Sequence, residues 1–156
     1  MPAFKVIKAT SRFYVVPLAL AFVDQVTKFI MLDLIFEPPR IIIVTSFLHF
    51  RPVWNKGISF GLLNDAGSLV PVILTIFAIL ASIIIPYISR HWGRLGHLGG
   101  MMIAGGAFGN AVDRIIHGKV VDFIDVFAGQ WHWPAFNVAD AGITVGVGLV
   151  LMNSYS

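Results

Sequence analysis

The sequence predicts an all-α membrane protein: four transmembrane helices, with a small sheet in one of the connections outside the bilayer. Three observations carry that expectation. Of 156 residues, 57% are hydrophobic and only 12% charged, about half the charge of a soluble domain, and mean hydropathy is +0.83. The apolar residues gather in four runs of membrane-crossing length. Glycine and alanine recur at helical spacing in two of those runs, as in helices that pack closely in lipid. The length fits a single integral membrane domain over residues 1–156. The chain has no cysteine, which excludes disulfides, thiolate catalysis and cysteine-based metal sites. The net charge of +3 is accounted for by basic residues flanking apolar runs, so no nucleic-acid partner is expected.

The first run, about 13–34, follows Lys5, Lys8 and Arg12. It is too long for a signal-peptide core, lacks a clear small-residue cleavage site and contains Asp24 and Lys28, so it is read as a retained span. The second, 69–87, carries no charge; Pro71 lies in its first turn and Pro86 is expected to close it. The third, about 95–116, repeats small residues every four positions at Gly96, Gly100 and Ala104, and again at Gly105 and Gly109. The fourth, about 136–152, repeats the device at Gly142 and Gly146. Segment 35–68 contains three β-prone runs, Ile41 to Val44, Phe47 to Val53 and Ile58 to Leu63, which predict a small sheet with turns. Segment 117–135 ends in Trp131, His132 and Trp133, and its tryptophans are read as interface anchors.

Charge sets the orientation. Residues 1–12 and the short loop 88–97 hold Lys5, Lys8, Arg12, Arg90 and Arg94 with no acid. The other side holds Arg40, Arg51, Lys56, Arg114 and Lys119 over longer segments that also carry most of the acids. Short basic loops stay inside, so both termini are expected in the cytoplasm and segments 35–68 and 117–135 outside.

The chemistry is expected at that outer face. Asp24 and Lys28 share a helix face at i, i+4 and can pair within the bundle. Asn110 to Asp113 and Asn137 to Asp140 both read Asn-x-x-Asp, which sets an amide and a carboxylate one helical turn apart on the same face. Between them, Asp122 stands among β-branched and aromatic neighbours that should desolvate it and raise its pKa. One member of an aspartic dyad needs that property, because two adjacent carboxylates share one proton. Asp113 is the poorer candidate, since adjacent Arg114 favours its anion. Asp125 falls on the opposite face of an extended segment. The start of a helix favours a negative Asp140, so Asp122 is the expected acid and Asp140 the expected base, although a symmetric dyad exchanges those roles. Scattered histidines without a zinc-binding pattern argue against a metalloprotease. His91 and His97 are read as solvated, and Ser59 beside Lys56 lacks a geometry for a serine–lysine nucleophile. The alternative from another class is a small ion or proton-coupled transporter using Asp24, Lys28 and the outer aspartates.

Five segments carry a specific resemblance: Asp24 to Lys28, Trp54 to Phe60, Gly105 to Arg114, Val120 to Phe123, and Phe136 to Asp140. In this order the sequence resembles the lipoprotein signal peptidases (signal peptidase II) over essentially its whole length. The resemblance implies an aspartic endopeptidase whose catalytic dyad is Asp122 and Asp140. It implies that Asn110, Asp113, Arg114 and Asn137 shape the site, with Asn55, Asp24 and Lys28 near the bound substrate. It makes segment 35–68 an extracytoplasmic β-cradle with a short interfacial helix. The implied reaction removes the signal peptide of a bacterial prolipoprotein just before its diacylglyceryl-modified cysteine, with no metal or cofactor. The implied setting is the inner membrane, where a monomer works among membrane lipids.

Overall fold

The computed structural model describes residues 14–57 and 69–155. Four helices occupy the four apolar runs: α1 (Val15–Ile35), α2 (Leu69–Ser89), α3 (Gly93–His117) and α4 (Val138–Ser154). α1 and α2 are long and apolar enough to cross a membrane, whereas α4 is a shorter apolar helix. α3 packs against each of the other three helices, and α1 also touches α4.

The helices are patterned inside out. The face that α1 buries is Pro17, Ala21, Asp24, Lys28 and Ile35, while Phe22 and Phe29 are 70% and 76% exposed. α2 buries Ala78, Ser82, Pro86 and Ser89 and turns its large aliphatic residues outward. Pro86 therefore does not close the helix, which continues to Ser89 with the proline inside it. Small residues on α3 allow close approach. A Cβ at Gly99 would lie 2.5 Å from the Gly146 carbonyl oxygen, and one at Gly106 would collide with the Ala139 carbonyl of α4. α3 ends at Gly118, whose φ of 69° gives the left-handed turn that favours glycine.

The sheet draws on both long connections rather than on the first alone. β1 (Ile42–Thr45), β2 (Leu48–Asn55), β3 (Val120–Ala128) and β4 (Trp131–His132) form one antiparallel sheet in that order. The first two strands realise two of the β-prone runs; the third run and the expected interfacial helix lie outside the described residues. β3 has only the two-residue β4 as a local partner, so its main pairing, with β2 across the chain, is a tertiary fact. The β2–β3 register shifts between Phe50 and Val53, at the point where Pro52 lacks an N–H for the ladder. Beyond that irregularity Val53 pairs with Asp122 and Asn55 with Val120. The sheet packs on the helix ends through a core of Ile35, Phe36, Val121 and Phe123. Asp122 thus sits in the strand that the core clamps.

Candidate active site

Asp122 on β3 is 1% exposed and Asp140, in the first turn of α4, is 8% exposed. Asn55 Nδ2 donates to Asp122 Oδ2 at 3.0 Å and Asn137 Nδ2 donates to Oδ1 at 2.7 Å. Asn110 Nδ2 donates to Asp140 Oδ1 at 2.8 Å. The three amides point their nitrogens at carboxylates because their oxygens are occupied by donors. Asn55 Oδ1 accepts from Gly57 N at 3.0 Å, Asn137 Oδ1 from Asp140 N at 2.9 Å, and Asn110 Oδ1 from Lys28 Nζ at 3.0 Å. Asn137 Nδ2 also reaches Asn110 Oδ1 at 3.1 Å, joining the two carboxylate environments in one network. Asn137 is therefore both the N-cap of α4 and a site amide; it stands before the helix rather than on its face.

Burial pushes the Asp122 carboxyl up from 3.8 to about 7, and the neighbouring Asp140 charge adds to the effect. Hydrogen bonds from Asn55 and Asn137 and the Lys28 charge oppose it. Burial wins because a desolvated anion costs more than two neutral donors return.

Behind the two carboxylates lies a charged cluster built on α1. Lys28 Nζ contacts Asp24 Oδ2 at 2.8 Å and Asp113 Oδ2 at 2.9 Å, with all three side chains at most 2% exposed. Each of these carboxylates also holds a backbone N–H one residue before a candidate catalytic aspartate. Asp113 Oδ2 accepts from Val121 N at 2.9 Å, and Asp24 Oδ1 accepts from Ala139 N at 2.8 Å. One ammonium thus gathers two carboxylates that fix where β3 and α4 present Asp122 and Asp140. A Cβ at Gly109 would stand 2.6 Å from Asp24 Oδ2, so the cluster needs a glycine there.

Arg114 ties the site to the turn after β2. Its Nη2 donates to the Gly57 carbonyl at 2.7 Å, which holds the turn that orients Asn55. All nine residues named from the sequence meet here: Asp24, Lys28, Asn55, Asn110, Asp113, Arg114, Asn137 and the pair Asp122 and Asp140. Sequence reasoning missed Gln25, whose Nε2 donates to Asp113 Oδ1 at 2.8 Å and to the Gly109 carbonyl at 3.1 Å. Its place between Asp24 and Lys28 in the first motif was the available signal. Asp125 lies elsewhere, with Arg51 Nε at 3.3 Å and His132 Nδ1 at 2.9 Å. His97 is half-buried, its Nδ1 3.0 Å from Ser89 Oγ, rather than solvated. No group able to hold a metal was found among the described residues.

An apolar groove of about 500 Å³ opens beside Asp140, walled by Trp133, Ala135, Phe136, Ile143 and Thr144 among others. A second, of about 640 Å³, lies behind the Lys28–Asp113 cluster under Phe36 and Trp54.

Known proteins resemble this chain over most of its length. The family model described as signal peptidase (SPase) II matches residues 16–156. The lipoprotein signal peptidase of Burkholderia mallei (strain SAVP1) is 41% identical over 130 residues, 82% of this chain and 78% of the relative. That of Cupriavidus taiwanensis is 44% identical over 112 residues, covering 70% of this chain and 64% of the relative. Two solved chains described as bacterial membrane enzyme structures obtained in meso superpose with TM-scores of 0.74 and 0.72, at 27% and 28% identity. They cover 91% of this chain in both cases, and 86% and 91% of their own lengths. With a family match over nearly the whole chain and a shared fold, the chain belongs to the signal peptidase II family of aspartic peptidases.

Proposed function

We propose that Asp122 and Asp140 are the dyad with which this enzyme removes signal peptides from prolipoproteins, cutting before a diacylglyceryl-modified cysteine. The observation that carries this reading is the environment of the pair. Two buried carboxylates share one amide network, and burial pushes the carboxyl of one of them, Asp122, up to about 7. Asp140, at a helix N-terminus and accepting from the Asn110 amide, is the base that takes a proton from the attacking water. Protonated Asp122 donates to the scissile carbonyl oxygen as the tetrahedral species forms. The departing amine then leaves with the proton that Asp140 collected. Asn55, Asn110 and Asn137 orient the carboxylates, Asp24, Lys28 and Asp113 fix the backbone beneath them, and Arg114 supports the Gly57 turn.

All four helices cross the inner membrane in this reading, with both termini cytoplasmic and the sheet outside. The outward phenylalanines of α1, set against its inward Asp24 and Lys28, support lipid as the surrounding medium. A substrate whose signal helix and lipid both lie in the bilayer would meet the dyad at the end of the bundle where water arrives. A transport path would need polar groups through the bilayer depth, and the buried charges instead form one cluster with the dyad.

The test uses purified protein in detergent with a diacylglyceryl-modified precursor peptide. Asp122→Asn and Asp140→Asn should each lower turnover at least a thousandfold while thermal unfolding shows the fold retained. Near-normal turnover in either variant would remove that residue from the dyad and make Asp113 the next candidate.

A further inference from the structure

The strand edge beside Asp140 is incomplete in a way that fits a peptide. Trp133 N donates to the Val126 carbonyl at 2.8 Å. Phe136 and Ile124 then exchange a pair of bonds, Phe136 N to Ile124 O at 3.1 Å and Ile124 N to Phe136 O at 2.8 Å. In an antiparallel ladder, the residue next to such a doubly bonded pair directs its N–H and C=O away from the partner strand. That residue is Ala135, and neither of its backbone groups has a hydrogen-bond partner among the described residues. Pro134 before it has no N–H to lose, as suits an edge. Ala135 is half-buried, and it faces the apolar groove whose wall includes the Asp140 side.

We propose that the substrate's segment leading to the scissile bond adds as an extended strand to this edge. Its backbone exchanges hydrogen bonds with the N–H and C=O of Ala135, and its side chains enter the groove over α4. This deepens the signal-peptidase reading and rests on it. Three features select this occupant. An open main-chain donor and acceptor pair matches a peptide in extended form and has nothing to offer an acyl chain. The groove wall, made of Trp133, Phe136, Ile143 and Thr144, takes small apolar side chains rather than charged ones. The groove is continuous with Asp140, so a strand bound there delivers its next peptide bond to the dyad. The consequence is that a signal peptide must unwind from helix to strand over the few residues before the cleavage point. Specificity at those positions then reflects strand-forming ability as well as size.

The experiment leaves the enzyme unaltered. Lipidated precursor peptides are prepared with each amide of the four residues before the scissile bond replaced, one at a time, by an ester, and kcat/KM is measured with the wild-type enzyme. An ester deletes the N–H donor of one residue and weakens the carbonyl acceptor of the residue before it, so about a tenfold loss is expected at one position, a smaller loss at the next, and little elsewhere. Ala135→Pro, which deletes the enzyme's donor, should lower kcat/KM for the parent peptide about tenfold; if that variant fails to fold, the ester series decides alone. Equal kcat/KM across the ester series, or a uniform loss, would overturn the edge-strand reading. So would an Ile143→Trp variant that discriminates between long and short acyl chains while the esters cost nothing, since the groove would then hold lipid. If the wild-type enzyme cleaved none of the parent peptides, the signal-peptidase reading itself would fail, and the two failures are distinguishable.

Discussion

Asp122 is held by opposing influences, and its titration is where they become measurable. Burial and the Asp140 charge keep its proton on, while Asn55 and Asn137 favour the anion. Cleavage that needs this proton should fall on an alkaline limb near pH 7. Asn55→Ala removes a donor that stabilises the charged form, so the limb should move to higher pH in the pH–rate profile, along with a loss of rate. The same group couples to folding. Its native value lies above the unfolded 3.8, so between about pH 4 and 7 the native state holds a proton that the unfolded chain releases. Its contribution to stability is therefore lost as pH rises through that window. Lys28 offers a sharper test of the buried charges. Lys28→Met leaves Asp24 and Asp113 buried without their shared cation, and about 3–5 kcal/mol of destabilisation is expected in thermal or denaturant unfolding in detergent. At this scale much was legible in the sequence. Asp122 was marked by its apolar neighbours, and the Asn-x-x-Asp pairs marked Asn110 and Asn137. The tethers were not, because Asp24 meets the backbone of Ala139 and Gln25 meets Asp113 across most of the chain, a separation that no local pattern encodes.

Among the elements, the α3–α4 contact has the least tolerance. A side chain at Gly106 would run into the Ala139 carbonyl and stand 2.7 Å from Ile143 Cγ1. Gly106→Val should push the helices apart and draw Asn110, one turn along α3, away from Asp140. The expected result is about 1–3 kcal/mol of lost stability and at least a tenfold fall in cleavage. Gly148 faces open space, so Gly148→Ala should leave both unchanged, and comparing the two variants separates close approach from mere loss of glycine. The four helices were readable from hydropathy, and β1 and β2 from their β-branched runs. The rest of the sheet was less so. β3 is a mixture of apolar and acidic residues whose longer partner strand lies some seventy positions earlier, and that tertiary pairing does most to decide its state. Pro86 misled for a related reason. A proline usually ends a helix in water, but packing inside a bundle holds the helix on to Ser89.

For the whole molecule, the prediction concerns sidedness. The chain contains no cysteine, so single substitutions report without background. Gln130→Cys, in the turn between β3 and β4, should react with a membrane-impermeant maleimide on intact cells. Arg94→Cys, at the opposite end of the bundle, should react only after permeabilisation. Labelling of both sites from one side would overturn the proposed topology.

The hydrogen bond from Ala139 to Asp24 joins residues 115 positions apart, and this has a bearing on biosynthesis. α1 leaves the ribosome carrying a carboxylate and an ammonium that can pair at once. The backbone N–H that the carboxylate will hold belongs to a helix made long afterwards, as does Asp140, the second member of the proposed dyad. Every earlier intermediate of translation therefore lacks the complete proposed dyad, however well its helices have inserted. On the proposed assignment, a chain made only as far as β3 lacks one of the two carboxylates and cannot cleave.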